Sequence, residues 1–354
     1  MPNKYQVCWA RHVMPPIQRH SPLSHTAYVD LLSSLKEETI SGLRGTPVLK
    51  RRGGKSFWYD SYRVGRSVKT SYIGPDTDEV RDRLKRIDAI RSDEEQRSAG
   101  RRRSVRILRA EGFLSLDAAT GSLVSAMAAA GTFRLGGTIV GTHAFRLYEG
   151  ELGLRMSIDQ AASTSDDDIA SFERLSLAVD DTTSPALNHV LADLSFKEIP
   201  SLDPSRVWRW RQSDGDTRVE FLTPSFDDDE GLKELPSLGV HAQALHHLNY
   251  LIAEPIQAAV VYRSGILVQI PRPERFAIHK LIAADRRLSG PEAGKARKDL
   301  MQAEFLIEAL AKDRPDEIAE AYQAALKSGP KWRERIEASL RRAPRVSDIL
   351  QGLG

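Results

Sequence analysis

The sequence predicts an α+β protein: a small mixed-sheet core, an N-terminal helix and β-hairpin module, and a mainly helical C-terminal domain with one β-hairpin. Three observations lead there. Residues 135–140 form a short apolar run that reads as a strand, followed by Gly141-Thr142 and a helical pattern from His143. Two further strand candidates follow at 166–170 and 218–222, each carrying acid. From Lys295 onward, Leu300, Ala303, Phe305, Leu306 and Leu310 recur at the spacing of one helix face. The organisation is three parts, residues 1–112, 113–225 and 226–354, within the two or three domains that 354 residues allow.

Composition narrows the class. Hydrophobic residues make up 41% and charged residues 28%, the balance of a globular chain. Cys8 is the single cysteine, which excludes an intrachain disulfide framework and a cysteine-built zinc site. Residues 1–19 lack the apolar centre of a signal peptide, and no run approaches the roughly 18 apolar residues of a membrane span. The expectation is a cytoplasmic protein without a membrane partner. Net charge is +3, so any nucleic-acid surface must come from the local distribution of charge.

Residues 1–23, with Pro15, Pro16 and Pro22, read as a loosely held arm. Ser24 can cap a helix to about Ile40, with Tyr28, Leu31, Leu32 and Leu35 on one face. Residues 42–75 change character. Phe57, Trp58, Tyr59, Tyr62 and Val64 precede Gly65-Arg66; Val68, Tyr72 and Ile73 follow, the pattern of a β-hairpin. This stretch holds Arg44, Lys50, Arg51, Arg52, Lys55, Arg63, Arg66 and Lys69 against Asp60 alone. Such a surface can hold RNA phosphates while its rings stack on bases; equally, the rings can pack beneath an accessory sheet whose charges are solvated. Residues 76–111 form a long charged helix with a break near Gly100, and an Ala-rich helix follows from Leu114 or Leu116. Trp208 and Trp210 alternate on a half-buried strand that turns at residues 213–216 into residues 218–222. Residues 256–262 and 266–270 form a hairpin around Arg263-Ser264-Gly265, and Pro273 starts a helix carrying Arg275, His279 and Lys280. A long helix then runs to about Ala325, and Pro330 precedes a last basic helix.

The chemistry lies in the middle. On a strand, Asp166 and Asp168 share one face with Cα atoms about 6.5 Å apart. Two carboxylates so placed can hold divalent cations; a solvated turn or helix cap is the alternative for an Asp run, and residues 226–231 read as such a loop. Gly141 lets backbone approach a phosphate, Thr142 offers a hydroxyl and an N–H, and the helix that follows adds the partial positive charge of its N-terminus. His143 reads as structural, and His241, His246 and His247 have no metal-ligand spacing.

The order of these segments resembles the polymerase-β-like nucleotidyltransferase superfamily. Its members carry a Gly-Gly or Gly-Ser turn, an Asp-x-Asp pair and a third acid on a neighbouring strand. Gly141 and Thr142 match the turn, Asp166 and Asp168 the pair, and Glu220 the third acid. Residues 271–281 look like a later feature of an uncharacterised bacterial branch with this fold, and the likeness runs from about residue 25 to residue 310. The gap between Thr142 and Asp166 exceeds the usual spacing, which implies an inserted loop near residues 150–162; Asp167 stands at a usually apolar position, and Glu220 where Asp is commoner. The resemblance implies a metal-dependent nucleotidyltransferase moving a nucleoside monophosphate from a nucleoside triphosphate such as ATP to an acceptor hydroxyl of RNA, protein or a small molecule. Asp166, Asp168 and Glu220 would hold Mg²⁺ or Mn²⁺, Gly141 and Thr142 would hold the β- and γ-phosphates, and Arg275 and Lys280 would neutralise them. The alternatives are a module that binds nucleotide or nucleic acid without turnover, and the toxin of a toxin–antitoxin pair that modifies transfer RNA.

Overall fold

A computed structural model describes residues 17–38, 45–64, 67–156, 166–170, 183–201, 203, 205–215, 217–226, 230–288 and 293–353; the side chains of residues 64, 67, 86–94 and 166–170 lie outside the description. The sequence readings at residues 1–16, the turn at Gly65-Arg66, the segments 157–165 and 171–182 and the acidic run at 227–229 also lie outside it.

The chain is α+β. Its first part holds β1 (Gln18–Arg19), α1 (Pro22–Glu38), the strands β2 (Thr46–Arg52), β3 (Lys55–Val64) and β4 (Ser67–Pro75), and α2 (Asp78–Ala110). Next come α3 (Ala118–Ala130), β5 (Thr138–Ile139), α4 (Gly141–Leu152), β6 (Leu154–Arg155) and β7 (Asp166–Ala170). The short helix α5 (Leu187–Asp193) precedes the strands β8 (Phe196–Glu198), β9 (Arg209–Gln212), β10 (Arg218–Pro224), β11 (Leu232–Leu235) and β12 (Val240–Leu245). After α6 (Leu248–Leu251) and the hairpin β13 (Ile256–Val260) and β14 (Ile266–Ile270), the chain is helical: α7 (Pro273–Arg287), α8 (Ala293–Asp313), α9 (Pro315–Lys327), α10 (Pro330–Leu340) and α11 (Pro344–Leu353). None of these helices is long and apolar enough to cross a membrane.

The central sheet is mixed, in the order β11-β12-β10-β7-β5, with β9 beside the first half of β10 and β8 beyond it. β10 runs parallel to both β7 and β12, and β5 is antiparallel to β7. The pairing of β10 with β12 crosses position 225/226, the boundary expected from sequence between core and C-terminal domain. The apolar stretch at 133–140 is mostly turn, and only Thr138 and Ile139 enter the sheet, as partners of Ala170 and Ile169.

The N-terminal part is tied down more firmly than its composition predicts. Gln18 and Arg19 pair with Arg155 and Leu154, so a stretch expected as part of an inserted loop is a strand partner, while Gly150 belongs to α4. His20 is buried, stacked on Phe113 at 3.9 Å and 3.0 Å from Glu149 Oε1. Glu149, itself buried, also accepts the Leu114 N–H at 2.6 Å, so one carboxylate joins the arm, α4 and the segment after α2. The cap of α1 is Ser21, whose Oγ accepts the Ser24 N–H at 3.2 Å, with Pro22 at the first helical position.

The expected break of α2 at Gly100 is absent: the helix runs 33 residues through it. A mid-helix glycine costs only about 1 kcal/mol relative to alanine, and the packing of α2 on α1 just after it outweighs that. Val105 and Leu108 share a small core with Leu31 and Leu35 of α1, and the buried Arg101 donates to Ser34 Oγ of α1 at 3.4 Å. The hairpin of residues 42–75 has a further strand. β2 joins β3 through Gly53-Gly54, both at positive φ (58° and 76°), as a two-residue hairpin turn requires. β2 escapes sequence reading because it is exposed along nearly its whole length and shows no alternation. The helix expected from Lys295 to Ala325 is two, parted at Arg314-Pro315, where the proline takes the first position of α9.

Candidate active site

The site begins where β5 ends. Gly141 has φ +68°, a left-handed conformation that suits glycine, and it turns the chain sharply into α4. The residue before it, Val140, gives α4 no side-chain cap, so the first N–H groups of the helix face outward from a positive helix end. Aromatic packing aims α4. Phe145 lies 6.3 Å from Phe276 of α7 and 6.0 Å from Phe305 of α8, ring centre to ring centre, and the Tyr148 hydroxyl donates to the Pro271 carbonyl at 2.9 Å. The N-terminus of α4 is thereby held against the basic faces of α7 and α8. The Lys298 ammonium of α8 donates to Thr142 Oγ1 at 3.1 Å.

The acidic strands meet in register. Asp168 of β7 pairs with Glu220 of β10, and Asp166 pairs with Arg218, so residues 166, 168, 218 and 220 occupy one alternating set of positions. Glu220 is half-buried, with its carboxylate 4.0 Å from the Arg209 guanidinium, which itself lies 4.4 Å over the Trp208 ring. Among the side chains described, no trio of His, Cys, Asp and Glu is gathered to hold a metal ion.

Between the sheet and helices α7 and α8 lies a cavity of about 550 Å³. Gly141, Thr142, Glu220 and Lys280 all line it, so four of the residues singled out from sequence open on one space. Arg275 does not: its guanidinium lies 5.2 Å over the Tyr250 ring and 3.3 Å from Glu254 Oε2. His143 is buried within α4 and is not a lining residue. Sequence reading missed the cationic wall, Arg286 and Arg287 of α7 with Lys295 and Lys298 of α8, and the place of His246, His247 and His279 beside it. The stripe His279, Lys280, Arg286, Arg287 at helical spacing was the available signal.

Charge in this wall is organised by Asp299. Its carboxylate, almost fully buried, takes the Lys280 ammonium at 2.5 Å and the Arg287 guanidinium. Burial opposes its ionisation, but the two cations outweigh burial and hold its pKa below the ordinary carboxylate value. Burial, with Lys280 as the next cause, lowers the Lys298 ammonium to about 8. Burial, then Lys280 and His247, lower His279 to about 3; burial, then Arg286 and Arg335, lower His247 to about 4. Both imidazoles are therefore neutral at pH 7. An unfolded chain takes up protons on them as pH falls through about 6.5, whereas the folded chain does not until about 3 to 4. Stability contributed by these histidines is thus present above pH 6.5 and is lost on acidification below it. A His279→Gln variant is expected to show a shallower fall in Tm between pH 7 and pH 5 than the parent; an unchanged slope would remove His279 as the cause.

Comparison with known proteins bears on the same residues. A family model described as "Nucleotidyltransferase" matches residues 118–327, more than half of the chain, from α3 to the end of α9. A second, described as "Domain of unknown function (DUF6788)", matches residues 25–82, which take in most of α1, the sheet β2–β4 and the start of α2. No curated protein and no solved structure matches the chain.

Proposed function

Because the chain belongs to the nucleotidyltransferase family, we propose that it moves a nucleoside monophosphate from a nucleoside triphosphate to an acceptor hydroxyl, with a divalent metal, in the cytoplasm, on a core of the polymerase-β-like kind. One observation carries this reading: the uncapped start of α4 and the Glu220 carboxylate open on the same cavity, opposite a wall of lysine and arginine. Transfer at phosphorus depends on positioning and on neutralising charge, and this cavity supplies both.

The β- and γ-phosphates lie against the N–H groups of Gly141 and Thr142, where a helix start favours anions. Lys298, bonded to Thr142, and Lys295 meet their charge from α8. Lys280 contributes less, because Asp299 already matches its charge. The carboxylates of Asp166, Asp168 and Glu220 would supply an oxygen-only donor set, which fits Mg²⁺ or Mn²⁺ better than zinc. A divalent ion held there would supply charge neutralisation at the reacting phosphoryl group and activation of the acceptor oxygen. Glu220 stands nearest the acceptor in this scheme and takes up its proton as the acceptor oxygen bonds to the α-phosphorus and pyrophosphate leaves.

The direct test incubates the protein with each labelled nucleoside triphosphate, Mg²⁺ and total RNA or lysate. Label in a macromolecule together with released pyrophosphate is the expected result. Metal-dependent triphosphate binding without pyrophosphate release would leave a binding module instead. A second expectation concerns pH. Lys298 loses its charge as pH rises through about 8, so kcat/KM for the triphosphate falls above that value. In Lys298→Arg, which stays charged, this fall is absent; a profile identical to the parent would mean that Lys298 does not meet the phosphates.

A further inference from the structure

In the sheet β2–β4, the middle strand β3 turns alternate side chains to two faces, while β2 beside it is exposed along nearly its whole length. Trp58 and Tyr62 face inward: the Trp58 indole donates to Asp76 at 2.9 Å, and Tyr62 is buried in the main core. Asp60, the only acid in the three strands, alternates onto this inner side and is buried. The register sets Val48, Tyr59 and Tyr72 side by side on the other face, with Lys50 beside Phe57. The rings form one platform there: Tyr72 lies 6.2 Å from Phe57 and 5.6 Å from Tyr59, and the Lys50 ammonium stands 5.2 Å from the Tyr59 ring centre. Tyr72 is 56% exposed. Lys50, Arg52, Lys55 and Arg63 belong to this face, and among the described residues none of them makes an ion pair. Rings and cations thus share an outward face on which the three strands place no carboxylate.

We infer that this face binds single-stranded RNA, with bases stacked on Tyr72, Tyr59 and Phe57 and phosphates held by the surrounding cations. Stacked rings on a sheet accept unpaired bases of any identity, and a flanking positive rim follows the backbone. The stiff, paired bases of a duplex are closed to such a platform, and the unpaired bases that proteins stack are chiefly those of RNA loops and ends. As an acceptor-binding surface the face rests on the transfer reaction proposed above; its affinity for RNA does not.

The test is fluorescence anisotropy of the full-length protein with a labelled single-stranded oligoribonucleotide, without nucleotide or metal, at two salt concentrations. Binding is expected at low salt and weakens as salt rises. Tyr72→Ala weakens it roughly tenfold, Tyr72→Phe keeps it, and neither moves Tm, because the ring is exposed. Lys50→Ala with Arg52→Ala flattens the salt dependence by about 1.4 in the log–log slope, roughly 0.7 for each lost phosphate contact. Absence of binding at low salt overturns the inference, as does an unchanged affinity in Tyr72→Ala. Equal affinity for a duplex overturns the stacking, and tighter binding of single-stranded DNA of the same sequence overturns the choice of RNA. Glu220→Gln binds RNA as the parent does, which separates the two readings. Pyrophosphate release without RNA affinity removes only this surface, and RNA affinity without transfer of any nucleotide removes only the reaction.

Discussion

An Asp168→Asn variant is expected to keep its fold and to lose nucleotidyl transfer by about a thousandfold. The strand register puts residue 168 directly opposite Glu220, which lines the cavity beside Gly141 and Thr142. A carboxylate that helps hold a metal at a phosphoryl centre is worth several kcal/mol of transition-state charge stabilisation, and each 1.36 kcal/mol is about a factor of ten. Asn keeps the size of Asp and removes the charge, so the core is undisturbed. Asp166→Asn should behave alike, since residues 166 and 168 share one alternating set of positions. Glu220→Gln should differ in kind. Glu220 sits on the neighbouring strand and, in the proposed scheme, on the acceptor side, so kcat falls further than triphosphate affinity does. Three measurements decide the matter: pyrophosphate release at saturating triphosphate, triphosphate binding in the presence of Mg²⁺, and Tm. Full activity in both Asp166→Asn and Asp168→Asn would move attention to Asp167 or to the run at 227–229. A Glu220→Gln variant that loses affinity alone would make Glu220 a residue that positions the triphosphate.

How much of this was legible in the sequence depends on how local each pattern is. The turn Gly141-Thr142 and the start of α4 lie within a few residues, so composition alone reveals them. The three-part core was legible as an order of segments, yet β11 and β12 were not. Val240, Ala242 and Ala244 alternate inward and His241 and Gln243 outward, as a strand requires, but two of the inward residues are small and the run ends in His246-His247. The cationic wall was harder still, because α7 and α8 reach α4 from more than a hundred residues away. The choice of Arg275 together with Lys280 shows what helical geometry forbids. At about 100° per residue, five residues turn the helix through roughly 140° beyond a full circle, so both side chains cannot face one cavity. Lys280 and Arg287, seven apart, can, and both do. Asp299 gave no signal: an acid among Lys295, Arg297 and Lys298 reads as a surface residue, and only the packing of α7 on α8 buries it. The three-stranded sheet was legible as aromatic and basic, but alternation around Trp58 and Tyr59 does not say which face meets the body. Packing answers this by turning Trp58 in and Tyr72 out.

Asp299→Asn is expected to be the most destabilising of the conservative changes at this site. Lys280, 7% exposed, would lose the carboxylate 2.5 Å from its ammonium and remain charged in a buried position. Removing one partner of a buried pair typically costs about 3–5 kcal/mol, because the remaining charge is left uncompensated. Arg287 is one-third exposed at its side chain and can turn to water, so Lys280 carries most of the penalty. A urea titration measures it as a lower midpoint at unchanged slope. The sign of the effect is checked by removing both charges. Lys280→Met with Asp299→Leu fills the same space with apolar atoms and is expected to regain most of the lost stability. It does not regain the site, because the cavity wall has lost one cation and the anchor of another. Stability restored with triphosphate affinity still weakened would identify Asp299 as the residue that sets the positions of Lys280 and Arg287. If the double variant stays as unstable as Asp299→Asn, the packing of α7 on α8, not the buried charge, governs this wall.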